Sequence, residues 1–151
     1  MAGVITYGEL ERNLQREFDK LPIEFAFTDA QFERGVKELG LDPSSKEDLG
    51  KLVRIPGGGF CLVETAEKMS ALFERFNDEV EKQIFIDRLN MTGFTKDMFI
   101  SELDNHEYGY TGDVTEALDA LGYDFDEDIA TDDFLLEQLY RAEQEIMNRE
   151  W

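Results

Sequence analysis

A chain of 151 residues, 42% of them hydrophobic and twelve of them phenylalanine, has enough apolar side chains to build a core, which excludes a disordered acidic chain. Its 35 acidic and 15 basic residues leave a net charge of −20, a field that repels nucleic-acid phosphates and anionic lipid and so excludes direct nucleic-acid or membrane-surface binding. A lone cysteine excludes an internal disulfide, and no apolar run nears the roughly 20 residues that span a bilayer.

The first helix is announced by Thr6 and Glu9, a capping box, and runs to about Lys20 with Leu10, Leu14 and Phe18 on one face. Pro22 favours an extended residue before it, and "IEFAF" reads as a short strand or buried connector. Thr28 and Gln31 repeat the box for a helix carrying Phe32, Val36 and Leu39, with Gly40 as its left-handed cap. "LDPSSKEDLG" is a turn followed by about one helical turn. "KLVRIPGGGFCLVE" reads as a β-hairpin around a glycine turn. A phosphate cradle would need a Lys-Ser/Thr after the glycines and a strand-to-helix context, and both are missing. Cys61, inside that apolar run, reads as a buried inert thiol.

Thr65 opens a long helix with Met69, Leu72, Phe73, Phe76, Val80, Ile84 and Leu89 at steps of mostly three and four, and Asn77 is a candidate break. After "NMTGF", Thr95 caps a helix to roughly Glu107 with Phe99 and Leu103 inward. Asp113 and Glu116 cap a short helix that Gly122 ends. Thr131 or Asp132 opens the last helix, where Leu135, Leu139, Ala142 and Ile146 form a stripe that Leu136, Tyr140 and Met147 widen. "VKELGLDPSSKEDL" and "LDALGYDFDEDIATDDF" echo one another, which reads as two helices using the same C-cap chemistry rather than a duplication. The expected architecture is α+β and mainly α: one domain over residues 1–151, about six helices around a Phe-rich core, and one small hairpin.

Three constellations bear on function. His106, the only histidine, follows Phe99 and Leu103 on the apolar face of its helix. A packed histidine is the expected reading, because zinc needs three or four ligands at suitable spacing and no motif supplies a nucleophile for a histidine base. "GYTG" then reads as a turn between helices. Asp124, Asp126 and Asp128 alternate as the first ligands of a calcium loop do, but Ile129 stands where a glycine is needed and Leu135 where a bidentate glutamate should close the shell. No metal or other cofactor is expected.

The third constellation is collective. From Glu102 to the end the chain holds 16 acidic residues and two basic ones, a net −14. Glu102, Asp104, Glu107, Asp113, Asp124, Asp126, Glu127, Asp128, Asp132 and Asp133 fall within about 30 residues, with Tyr108, Tyr110, Tyr123 and Phe125 interleaved as candidate anchors. On a rigid scaffold such carboxylates imitate phosphates and attract a basic groove by electrostatic steering. Solubility alone is satisfied by a net charge of roughly 2–8 in a small domain.

The stretches "ITYGELERNLQREFDKLPIEFAFTDAQFERGVKELG" and "NHEYGYTGDVTEALDALG" resemble small acidic proteins of phages and mobile elements that have no assigned function. In size and charge the chain is also similar to anti-CRISPR and anti-restriction inhibitors, a compositional likeness without a shared motif. That likeness implies a non-enzymatic inhibitor of a basic, nucleic-acid-binding partner such as a defence nuclease. With no signal peptide expected at "MAGVITYGELERN", a cytoplasmic location is expected too. The alternative is a carboxylate-based metal-binding or small regulatory protein.

Overall fold

The structure, a computed structural model, describes residues 3–149. It is α+β and mainly α, 67% helical. In chain order it runs α1 (Tyr7–Asp19), β1 (Glu24–Phe25), α2 (Asp29–Glu38), α3 (Lys46–Leu49), β2 (Leu52–Ile55), β3 (Gly59–Leu62), α4 (Val63–Asn90), α5 (Phe94–Asn105), α6 (Tyr108–Thr111), α7 (Thr115–Leu121), a π-helical turn (Phe125–Ile129) and α8 (Asp133–Met147). The chain divides into two compact units: a sheet unit, Asn13–Asn77, and a helical unit, Met1–Arg12 with Asp78–Trp151. The division falls within α1 and α4. Asn77 itself does not break α4, which continues for 28 residues.

In the sheet unit the antiparallel strands lie in the order β1-β3-β2. β2 and β3 form the expected hairpin, with Arg54 opposite Phe60, and "EF" of the connector adds β1 through Glu24 opposite Phe60. Gly57 and Gly58 carry the turn at φ of 85° and 83°, values that side chains resist. Thr28 caps α2 by accepting the Gln31 N–H at 3.2 Å. Gln31 does not return to Thr28 but accepts the Phe27 N–H at 2.8 Å. Val36, Phe60 and Cys61 are buried, and burial pushes the Cys61 thiol up, away from the reactive thiolate.

In the helical unit α5 packs on α8, α7 and α6. Met98, Phe99 and Leu103 of α5 are buried with Leu118 and Ile129 and with the expected α8 stripe of Leu135, Leu139, Ala142 and Ile146. Each of these side chains other than Ala142 contributes about 1.5–3 kcal/mol by leaving water. Leu136, Tyr140 and Met147 do not widen that stripe: they are exposed. Of the twelve phenylalanines only Phe60, Phe94 and Phe99 are buried, so the core is shared with leucine, isoleucine and methionine. Tyr7 packs edge-on against Phe94, ring centroids 5.9 Å apart.

Several helix starts depart from the sequence reading. α4 begins at Val63, so Thr65 lies buried inside its first turn rather than opening it. α7 has Val114 at its cap position with no side-chain cap, and Asp113 accepts the Thr115 N–H instead of capping the helix with Glu116. The cap of α5 is not Thr95, which lies buried in its first turn. The carboxylate of Asp87, at the end of α4, accepts the Gly93 and Thr95 N–H groups, each at 2.9 Å. "GYTG" is no simple turn but the one-turn helix α6, bracketed by Glu107 and Gly112 at φ of 59° and 67°. The echo between the two Leu-Gly segments is structural. Gly40 and Gly122 are left-handed at φ of 82° and 79°, and the next residue donates back five positions, Leu41 to Val36 O and Tyr123 to Leu118 O. An aspartate then follows, whose N–H a second aspartate accepts, Asp42 to Asp48 at 2.9 Å and Asp124 to Asp128 at 2.8 Å.

Candidate acidic interface

The net charge is divided between the units. By sequence the helical unit holds 23 acidic and six basic residues, a net −17, and the sheet unit 12 and nine, a net −3. Within the helical unit no lysine or arginine occurs between Lys96 and Arg141, an interval that takes in most of α5, all of α6 and α7, the π turn and the first half of α8.

Five of the thirteen carboxylates and tyrosines nominated from the sequence in that interval are used internally. Glu102 is half-buried on α5 and accepts the Tyr7 hydroxyl at 2.8 Å. Asp104 is met by Arg149, whose Nη1 lies 2.9 and 3.0 Å from its two oxygens. Tyr108 is buried, and its hydroxyl donates to Glu143 at 2.9 Å; burial first, and that carboxylate second, push its pKa up to about 12. Tyr123 is half-buried with its ring 6.3 Å from that of Phe99. Asp132 caps α8 by accepting the Leu135 N–H at 3.1 Å and pairs with Arg88, so its carboxyl titrates below the usual range. These side chains all have partners within the unit, and of the five only Asp104 is exposed.

The other eight face water. Glu107, Asp113, Asp124, Asp126, Glu127, Asp128 and Asp133 are exposed, together with Asp119, which the sequence reading left out, and none has an ion pair among the described residues. Tyr110 is 94% exposed. Asp113 accepts the Thr115 N–H at 2.9 Å, which lowers its pKa. The acidic loop is not loosely solvated. Asp124 accepts the Glu127 N–H, Asp128 accepts the Asp124 N–H, and Thr131 donates to the Glu127 carbonyl at 2.6 Å, so the turn is pinned at three points. Asp124 and Asp128 thus each give one oxygen to the backbone. Among the described residues no group of three or more His, Cys, Asp and Glu side chains is placed to hold a metal ion.

His106 ends α5 as its C-terminal cap, half-buried. Its Nε2 lies 3.7 Å from Glu102 and its Nδ1 3.7 Å from Glu116 on α7, so two carboxylates bracket the imidazole. Among the described residues no helix is long and apolar enough to cross a membrane.

A family model matches residues 6–145. The chain belongs to the DUF7659 family, a family of unknown function. No curated protein and no solved structure matches the chain. The match spans the whole cation-free interval, so this acidic stretch of the DUF7659 chain lies inside the family domain rather than on an added tail.

Proposed function

We propose that the protein is a non-enzymatic acidic binding protein that occupies the nucleic-acid-binding surface of a basic partner, its carboxylates standing where phosphates would. One observation carries the reading: eight exposed carboxylates between Glu107 and Asp133 have no ion pair among the described residues, in an interval without a lysine or arginine. Unlike a disordered acidic tail, these groups sit on short helices and a pinned turn, so little conformational entropy is lost when a partner engages them. Tyr110 and Phe125, both exposed, are the aromatic anchors of such a contact. A defence nuclease of a phage or mobile-element host is the partner class this reading favours.

The test uses Asp119→Asn, Asp126→Asn, Glu127→Gln and Asp133→Asn together, because these side chains make no hydrogen bond or ion pair among the described residues. Tagged wild type is expected to capture from bacterial lysate a nucleic-acid-binding protein that duplex DNA displaces and that dissociates as salt rises. The quadruple variant is expected to fold, by circular dichroism, and to bind that protein at least about tenfold more weakly. Capture indifferent to DNA and salt, or a variant that binds as the wild type does, overturns the proposal.

A further inference from the structure

The sheet unit holds a feature independent of the acidic stretch. A cleft of about 720 Å³ opens beside the N-terminal half of α2, over one face of the hairpin. Small-molecule sites occupy roughly 300–1,000 Å³ and are lined by apolar and aromatic groups with a few placed polar ones. Arg54 and Phe60 are direct cross-strand partners, so they project from the same sheet face, and Leu52, two residues along β2, shares it. Phe32 of α2 stands against Phe60, ring centroids 5.0 Å apart.

Phe27 forms the rim. It is 81% exposed; its backbone N–H is bonded to Gln31, and its ring lies beside Gly58, where an added Cβ would sit 3.0 Å from Phe27 Cε1. Two charged residues line the cleft, Asp29 from the first turn of α2 and Arg54 from β2. They are not paired with each other, and neither is ion-paired with any other described residue.

Two unlike, unpaired charges lining one aromatic cleft complement a molecule that carries both charges beside an apolar ring. We propose that this cleft binds a zwitterionic aromatic compound, a free aromatic amino acid or a short aromatic peptide. Its carboxylate meets Arg54, its ammonium meets Asp29, and its ring lies among Phe27, Phe32 and Phe60. A guanidinium suits the carboxylate because its fork donates two parallel hydrogen bonds.

The experiment titrates the ¹⁵N-labelled full chain with L-phenylalanine and, separately, with the dipeptide Phe-Phe, which differ in the spacing of their charges. 3-Phenylpropionate and phenethylamine supply one charge each. The zwitterion of matching spacing is expected to shift the amides of Phe27, Gly58 and Gly59 in the millimolar range or below, and to bind at least about tenfold more weakly to Arg54→Gln and to Asp29→Asn. Phenylpropionate is expected to bind more weakly than the zwitterion, and Asp29→Asn is expected not to weaken it. Both variants alter exposed side chains and should keep a dispersed spectrum, and Phe27→Ala offers a second, uncharged loss of binding. The proposal is overturned if neither zwitterion shifts these amides, if Arg54→Gln binds as the wild type does, or if a singly charged analogue binds as tightly.

Discussion

Arg88 on α4 grips Asp132 at the start of α8 with both ends of its guanidinium, Nη1 to Oδ1 at 3.0 Å and Nη2 to Oδ2, while the guanidinium carbon lies 4.9 Å above the ring of Phe134. One carboxylate thus neutralises a cation, receives a planar fork and caps a helix. The sequence presents Asp132 as part of a charged surface; the fold turns it inward to join two helices.

The pair makes a stability prediction with a sign. The hydrogen bond from Arg88, with the Leu135 N–H behind it, holds the Asp132 carboxyl below its ordinary value despite partial desolvation. A carboxyl whose folded-state pKa lies below the unfolded one stabilises the fold above the unfolded value, near pH 4, and loses that contribution as pH falls through the lowered one. Asp132→Ala is expected to cost about 1–2 kcal/mol at pH 7, from the lost cap and ion pair. The gap between wild type and variant should close as pH drops below about 4. Urea unfolding at pH 7 and pH 3 measures it, and a cycle with Arg88→Ala isolates the coupling.

Much of the fold is legible because its signals are local. Thr28 and Asp132 each cap a helix three residues on, and Gly40 and Gly122 end helices in the left-handed conformation. What escapes the sequence is long-range or competitive. The acid that caps α5 lies eight residues before Thr95, at the end of another helix, where a single sequence offers no cue. Tyr108 looks like one more tyrosine among glycines until the fold supplies Glu143, 35 residues away, as the acceptor that makes its burial tolerable. The candidate surface divides for the same reason. The interval without cations is visible in the sequence, but Arg88 and Arg149 reach into it from outside, and only the structure shows that Asp132 and Asp104 are the carboxylates they take.

Asp87 is expected to be the most sensitive acidic residue of the helical unit. It is 2% exposed with no cation within ion-pair distance among the described residues, and the N–H groups of Thr95 and Gly93 hold its pKa down against the desolvation that raises it. Asp87→Ala removes the acceptor and leaves the Thr95 N–H buried without a partner, an expected loss of about 2–4 kcal/mol. Asp87→Asn keeps one accepting oxygen and should lose about half as much. Chemical denaturation at pH 7 distinguishes the two. Equal stability of Asp87→Ala and wild type would show that the cap is dispensable.

Two glycine-to-alanine changes inside helices are expected to move stability in opposite directions. Gly8, in the first turn of α1, has only the flexible end of Arg12 within 4 Å of an added Cβ, at 3.6 Å. The gain in helix propensity, about 0.5–1 kcal/mol, should therefore appear almost whole. Gly35 lies buried on α2, where an added Cβ would stand 2.6 Å from Cζ of Phe60 and 3.0 Å from Cβ of Glu24. The same propensity gain is available there, but the methyl must displace a buried ring or push α2 off the sheet, at about 1–3 kcal/mol. Gly35→Ala should therefore be net destabilising, by up to about 2 kcal/mol. Thermal melts of the two variants beside wild type check both signs, and a stabilised Gly35→Ala would mean that α2 can move away from Phe60 and Glu24 without loss.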